Sequence, residues 1–474
     1  MKTDINRLLH AGFWFGKTPL QEALDLASMG VGGFCIYGGT KQEVRRFTQA
    51  VQAVSPLKRL LICADYEDGL GRWISDTELL PSNMAIGAAN DESLSFEKGL
   101  LTARQARALG VNWVLAPVVD LADNPLNPIV NTRSFAQAPS RVIPLARAFI
   151  KGLQKGGVLN SLKHFPGHGD TQTDSHLGLP VLPLTLKNLQ EKELLSFVPL
   201  LPLADSVMVG HLFLPHIDKN YPASLSDKII SDLLKKELGY TGCVVTDALL
   251  MKALGDEKEA ALRAFLSGAH ILLAPEKPFE LLEFLHKQNL PEEKVKLAIR
   301  QQEVLCNKIP TDLPEETDPF SPQTLSQRTA EKALCQKGEI PLLKEGQKVK
   351  IKEIGREEES DCGLFVKTLE NHGIKIVSEQ AEADVLIILC WRRYQAFRGS
   401  IGLEEKEREQ TDKALKQTKK SVAVYFANPW IAQHIKTKGC IFTFSPAAPF
   451  QKQAALCLLN KAACNGNFPV ELSF

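Results

Sequence analysis

Residues 158–180 read VLNSLKHFPGHGDTQTDSHLGLP. The first seven, Val158 to His164, form a largely apolar run that closes on Lys163 and His164, and a loop dense in Gly, His and Asp follows. The same pattern recurs in Gly33–Tyr37, Arg59–Asp65, Trp113–Asp120, Ser206–His211, Cys243–Asp247 and His270–Ala274, with stretches of helical spacing between them. Apolar runs that are continuous rather than alternating suit strands buried on both faces of a parallel sheet. Seven such runs interleaved with helices over roughly 300 residues predict a (β/α)8 TIM-type barrel, with one strand left unassigned. Polar residues end the runs: Asp65, Asp120, Lys163, His164, His211 and Asp247. In a barrel those ends converge on one mouth, where catalytic groups of such folds lie; an open doubly wound sheet gathers them less well.

Working outward, residues 308–322, KIPTDLPEETDPFSP, are Pro-rich, acidic and poor in apolar side chains, as a linker is. This divides the chain into a catalytic barrel over 1–307, a linker over 308–322 and a smaller α/β sandwich-like domain over 323–474. In the last of these, Val385–Trp391, Ser421–Phe426 and Cys440–Phe444 read as buried strands, and Leu403–Lys419 has helical composition. The charge-rich segment Glu404–Lys420 reads as a solvated helix face. Trp391 reads as a core residue beside solvated Arg392 and Arg393.

The 474 residues carry 56 Lys and Arg against 55 Asp and Glu, so no general field attracts nucleic acid or an anionic membrane. No run approaches the roughly 18 apolar residues that span a bilayer. Asp4, Asn6 and Arg7 precede a short apolar stretch interrupted by Gly12 and Lys17, unlike a secretory signal. The ten cysteines are scattered without a Cys-x-x-Cys pair, which reads as reduced, buried thiols. A cytoplasmic location is expected, with no membrane span and no nucleic-acid partner.

Three of the ten histidines, His164, His168 and His176, fall with Asp170 and Asp174 in the quoted loop. Gly167 and Gly169 allow the backbone to fold back over a site. Two chemistries compete. Imidazoles and carboxylates ligate metals, and His164, His168, Asp174 and His176 are candidate ligands, but the spacing matches no helical HExxH pattern and no compact Cys/His knot accompanies it. The second chemistry is proton transfer by the Asp174-Ser175-His176 pair, the carboxylate orienting the imidazole, with Asp247 in CVVTDALLM free to act as nucleophile. The second is preferred, and no metal or other cofactor is expected.

KHFPGHGDTQTDSHLGLP resembles the signature loop of the β-N-acetylglucosaminidases of glycoside hydrolase family 3, the NagZ type. GVGGFCIYGGTKQEVRRF, ICADYED, PVVDLADNPLNPIVNTRSF and PASLSDKIISDLLKKELGYTGCVVTDALLMKAL follow the family's order, over roughly residues 5–300. The resemblance implies Asp247 as nucleophile and His176 as general acid/base with Asp174 as its partner. It implies substrate contacts for Asp65, Arg133, Lys163 and His164, and places His211 at the pocket wall. After Asp65 the family's Asp-x-Glu-Gly-Gly-Arg run departs to Asp65-Tyr66-Glu67-Asp68-Gly69-Leu70-Gly71-Arg72-Trp73, with Leu70 in place of an Arg and Arg72 as the substitute sugar contact. The implied activity is retaining, exo-acting hydrolysis of terminal N-acetylglucosamine from peptidoglycan-derived fragments. The alternatives are a β-N-acetylglucosaminide phosphorylase and a degenerate member that binds sugar without turnover.

Overall fold

The computed structural model describes residues 2–173, 178–311, 321–356, 361–394 and 401–472. Eight short parallel strands come first: β1 Leu9–Trp14, β2 Gly33–Tyr37, β3 Leu61–Ala64, β4 Trp113–Val114, β5 Ser161–Phe165, β6 Ser206–Val209, β7 Cys243–Thr246 and β8 Leu272–Leu273. They pair in sequence order, in one sheet running from β4 through β1 to β8 and another from β5 to β7. Single parallel bridges, Trp113 with Leu159 and Val245 with Ile271, join the two sheets into a ring. This is the (β/α)8 barrel. The strand unassigned in the sequence is β1, which pairs with β2 on one side and β8 on the other.

The continuity of the apolar runs follows from this closure. Along β2, Cys35 points into the barrel interior with Leu61, Trp113 and Met208, while Phe34 and Ile36 pack outward against the helices. Along β7, Cys243 and Val245 are interior and Val244 is exterior. Both faces of each strand are dry, so alternation disappears. The surrounding helices are amphipathic. Lys41–Val54 opens on a capping box between Thr40 and Glu43 and buries Val44, Phe47, Thr48 and Val51, one face at helical spacing.

The second unit is one six-stranded sheet with β9 Cys335–Gly338, β10 Lys348–Ile354, β11 Lys375–Val377, β12 Val385–Cys390, β13 Ser421–Tyr425 and β14 Gly439–Phe442. Its order is β11-β10-β12-β13-β14-β9, parallel except for the antiparallel edge strand β9. Helix Glu405–Lys416 buries only Thr411 fully, as expected of a solvated helix. Trp391 is core, stacked on Phe426 at 4.3 Å. Arg392 corrects the expectation of a solvated arginine: it is 3% exposed and donates to Glu407 at 2.7 Å, because it follows the interior strand β12 and meets the helix Glu405–Lys416 there. All ten cysteines are free thiols.

The two units share packing. Met84, Ala85 and Ala88 of the barrel helix Asn83–Ala89 belong to the same apolar cluster as Ala330, Ala333 and Phe444. Ser82 donates to the Phe444 carbonyl at 2.7 Å, Arg141 to the Phe468 carbonyl at 2.8 Å, and Lys332 pairs with Asp91 at 2.6 Å. This docking brings the segment that leaves β12 to the mouth of the barrel.

Candidate active site

The strand ends enclose a cavity of about 290 Å³, whose wall includes Asp65, Glu67, Arg72, Arg133, Lys163, His164, His168 and Asp247. Its polar side is a relay of ion pairs. Lys163, in the middle of β5 and 1% exposed, donates to Asp65 at 2.6 Å and lies 2.7 Å from Glu67. Arg133 grips Glu67 with both ends of its fork, Nε at 2.8 Å and Nη2 at 2.7 Å. Burial alone would raise the Glu67 carboxyl, but Arg133 and Lys163 outweigh it and hold the group well below the usual carboxylate range. Burial works against the Lys163 ammonium too, and Asp65 and Glu67 reverse the sign and raise its pKa.

Behind this relay stands Asp120, fully buried. It accepts from the backbone N–H of His168 at 2.7 Å and of His164 at 3.1 Å, and lies 2.7 Å from His164 Nδ1. Burial pushes Asp120 up, and His164 and His168 more than offset this and lower it. A carboxylate facing Nδ1 and the Arg133 donor 3.3 Å from Nε2 place the His164 proton on Nδ1. Both ring nitrogens are therefore engaged, which removes His164 from the candidate metal ligands. Among the described residues no three His, Cys, Asp or Glu side chains form a metal-holding group. His168 meets Thr171 at 2.7 Å through Nδ1, and its buried Nε2 has no hydrogen-bond partner among the described residues; burial, reinforced by His164, lowers its pKa to about 4.

Asp247 follows β7, tied by its backbone N–H to the Val209 carbonyl at 3.0 Å, and its Oδ1 accepts from the Ala248 N–H at 2.8 Å. The apolar wall is aromatic: Trp14 stacks on Tyr37 at 4.8 Å and Tyr37 meets Trp73 edge-on at 5.4 Å. Trp73 is fixed by an indole N–H bond to the Asp65 carbonyl at 2.9 Å. Adjacent fixed donors and acceptors on one side and flat apolar faces on the other complement a sugar ring, whose hydroxyls ring its edge and whose C–H groups line its faces.

Of the residues singled out from the sequence, Asp65, Arg72, Arg133, Lys163, His164 and Asp247 line this one cavity. His211 is fully buried, meets Ser224 at 2.7 Å and lies 3.1 Å from the carbonyl of Ala248, the residue after Asp247. Asp174 and His176 lie outside the described residues. Sequence reading gave no role to Glu67, to the aromatic wall or to Tyr394, which reaches the cavity from the second unit. Glu67 had a signal, being a second acidic residue two places after a strand-end Asp; Tyr394 had none.

The model of the glycosyl hydrolase family 3 N-terminal domain matches residues 5–305. The chain belongs to glycosyl hydrolase family 3. A beta-hexosaminidase of Pseudomonas aeruginosa is 33% identical over 238 residues, 49% of this chain and 70% of that protein. Beta-hexosaminidase A of Pseudoalteromonas piscicida is 32% identical over 273 residues, 52% of this chain but only 46% of the enzyme, so the alignment spans under half of that relative. Among solved structures, a family 3 beta-N-acetylglucosaminidase from Paenibacillus sp. FPU-7 superposes with a TM-score of 0.87 over 100% of this chain and 99% of its own, at 24% identity. The beta-glucoside phosphorylase BglX gives 0.89 over 99% and 94% at 22% identity. These two likenesses show the barrel-plus-sheet fold along the chain's length. The sequence matches concentrate in the barrel, where the cavity lies.

Proposed function

We propose that this chain is a retaining exo-β-N-acetylglucosaminidase. One observation carries the reading: Asp247 opens onto the same cavity as the Asp65–Lys163–Glu67–Arg133 relay, so one carboxylate faces a site otherwise built to hold hydroxyls. In the proposed reaction Asp247 attacks the anomeric carbon while His176, partnered by Asp174, protonates the leaving oxygen. The glycosyl–Asp247 ester is then cleaved by water that gives its proton to His176, with net retention of configuration. Lys163 and Arg133, the latter held by His164 Nε2 at 3.3 Å, orient the sugar, and the beta-hexosaminidase relatives support N-acetylglucosamine as that sugar. Peptidoglycan-derived fragments are the proposed substrates and the cytoplasm the proposed location; among the described residues no helix is long and apolar enough to cross a membrane.

The test is release of a chromogenic aglycone from a β-N-acetylglucosaminide, with products resolved in the presence and absence of phosphate. Free N-acetylglucosamine under both conditions is expected. A sugar 1-phosphate formed only with phosphate establishes phosphorolysis instead, and sugar binding without any release establishes a non-catalytic member.

A further inference from the structure

The loop Asp65–Trp73, where the chain departs from its family's pattern, reaches the cavity with one cation. Leu70 is 1% exposed and packs in the barrel's apolar cluster, so it offers nothing to a ligand. Two glycines let the loop lie against residues 78–80: Gly69 has φ +70°, and a Cβ on Gly71 would sit 2.2 Å from the Glu78 carbonyl carbon. Buried Lys98 anchors the loop's start through Asp68 at 3.2 Å and Asn83 at 2.7 Å. The next side chain delivered to the cavity is Arg72.

Arg72 makes no hydrogen bond to any described residue. What it does have is a ring: its guanidinium carbon stands 4.0 Å over the centroid of Tyr394. Face-on stacking satisfies the cation while leaving the in-plane N–H groups free for a ligand. Arg133 lies 5.4 Å from the same ring, but its fork is already committed to Glu67. Tyr394 is itself held firmly. The segment before it is tied to the second sheet by the Trp391–Glu353 bond at 2.9 Å, the Arg392–Glu407 pair at 2.7 Å and the Asn428 N–H to the Arg392 carbonyl at 3.1 Å.

We infer that Tyr394 is a positioning residue for substrate recognition: the second unit completes the barrel's cavity by presenting this ring to Arg72, which contacts the sugar. The inference rests on the proposed glycosidase reading for its substrate, and on geometry alone for the Tyr394–Arg72 clamp. It gives the second unit a part in binding as well as in packing, and makes the altered loop a rebuilt recognition element rather than a degenerate one.

The experiment compares Tyr394→Phe, which keeps the aromatic face, with Tyr394→Leu, which keeps bulk and loses it, each also in an Arg72→Met background. With a chromogenic β-N-acetylglucosaminide, Tyr394→Leu is expected to raise KM about tenfold with kcat and Tm near the parent's, the scale of a partly desolvated cation–π contact. Tyr394→Phe is expected to match the parent, and Tyr394→Leu to add no further loss once Arg72 is Met. Additive losses, a normal KM in Tyr394→Leu, or an equal loss in Tyr394→Phe would overturn the clamp. Labelling of Arg72 by phenylglyoxal, read by mass spectrometry, separates this from the assignment of function. It is expected to be several times faster in Tyr394→Leu than in Tyr394→Phe whether or not the parent hydrolyses the substrate, and equal rates refute the clamp.

Discussion

Replacing Glu67 with Gln tests the cavity's electrostatics most sharply, because the change keeps shape and removes one charge. Glu67 is 2% exposed and meets three cationic donors, two from Arg133 at 2.8 and 2.7 Å and one from Lys163 at 2.7 Å. A glutamine supplies a single acceptor oxygen and turns an NH2 group towards a cation. Lys163 keeps Asp65 at 2.6 Å, whereas Arg133 keeps only a contact to the Ile129 carbonyl at 3.4 Å and the one to His164 at 3.3 Å. Removing one partner of a buried pair costs about 3–5 kcal/mol, since the remaining charge stays desolvated. The Glu67 carboxyl titrates below its unfolded value, so its stabilisation is present above pH about 4.3 and is lost as pH falls through the folded pKa. The barrel transition, followed by urea unfolding of parent and variant, should differ by about 3–5 kcal/mol at pH 7, with the gap closing towards pH 3. A gap under about 1 kcal/mol at pH 7, the value typical of exposed pairs, or one undiminished in acid, refutes the reasoning.

Glu193 carries the opposite sign. It is fully buried, neither oxygen has a hydrogen-bond partner among the described residues, and burial, reinforced by Asp123 and Asp120, pushes its pKa up to about 8. The native state therefore keeps this carboxyl neutral while the unfolded chain ionises, and stability falls as pH rises from about 4.5 to 8. Glu193→Gln should be near the parent at pH 4 and more stable by a few kcal/mol at pH 9, as paired melting curves across pH will show. His168, lowered to about 4, works the other way: between about pH 4 and 6.5 the unfolded chain holds a proton that the native state does not, so this group adds stability as pH rises, and His168→Gln should steepen the parent's fall in stability across that window. Gly71→Ala drives a Cβ into the Glu78 backbone, and should lower Tm and raise KM together, because the loop that delivers Arg72 must shift.

The barrel was legible because closure buries both faces of each strand. Cys243–Thr246 announces itself as an unbroken apolar run, and the polar residue after it marks the mouth. Strand β1 was not legible, since LHAGFW carries His10 and Gly12. His10 is nevertheless fully buried, edge-on to Trp113, and the space over Gly12 is filled by the Trp14 ring. In the second unit the central strands Val385–Cys390 and Ser421–Tyr425 were visible for the same reason as the barrel's. Strand β10, KVKIKEI, was hidden by lysines at half-buried positions beside the short edge strand β11, where one flank reaches water.

The site divides along similar lines. Residues that close the apolar runs, such as Asp65, Lys163 and Asp247, could be named because those runs lead to one mouth whatever the helices do. Glu67 and Asp120 owe their importance to partners distant in sequence: Arg133, 66 residues from Glu67, and His164, 44 residues from Asp120. Tyr394 depends on how two units dock, which no local pattern encodes. His211, also the polar end of an apolar run, is fixed in the same way by distant partners, Ser224 13 residues on and the Ala248 carbonyl 37 residues on.

The central claim is that Asp247 forms a covalent bond to the sugar. Incubation with a fluorinated β-N-acetylglucosaminide of slow turnover, followed by proteolysis and mass spectrometry, measures this directly. The account predicts one sugar mass added on Asp247, absent from Asp247→Asn and released as turnover resumes. A label on another residue, or complete turnover of the ordinary substrate by Asp247→Asn, contradicts it.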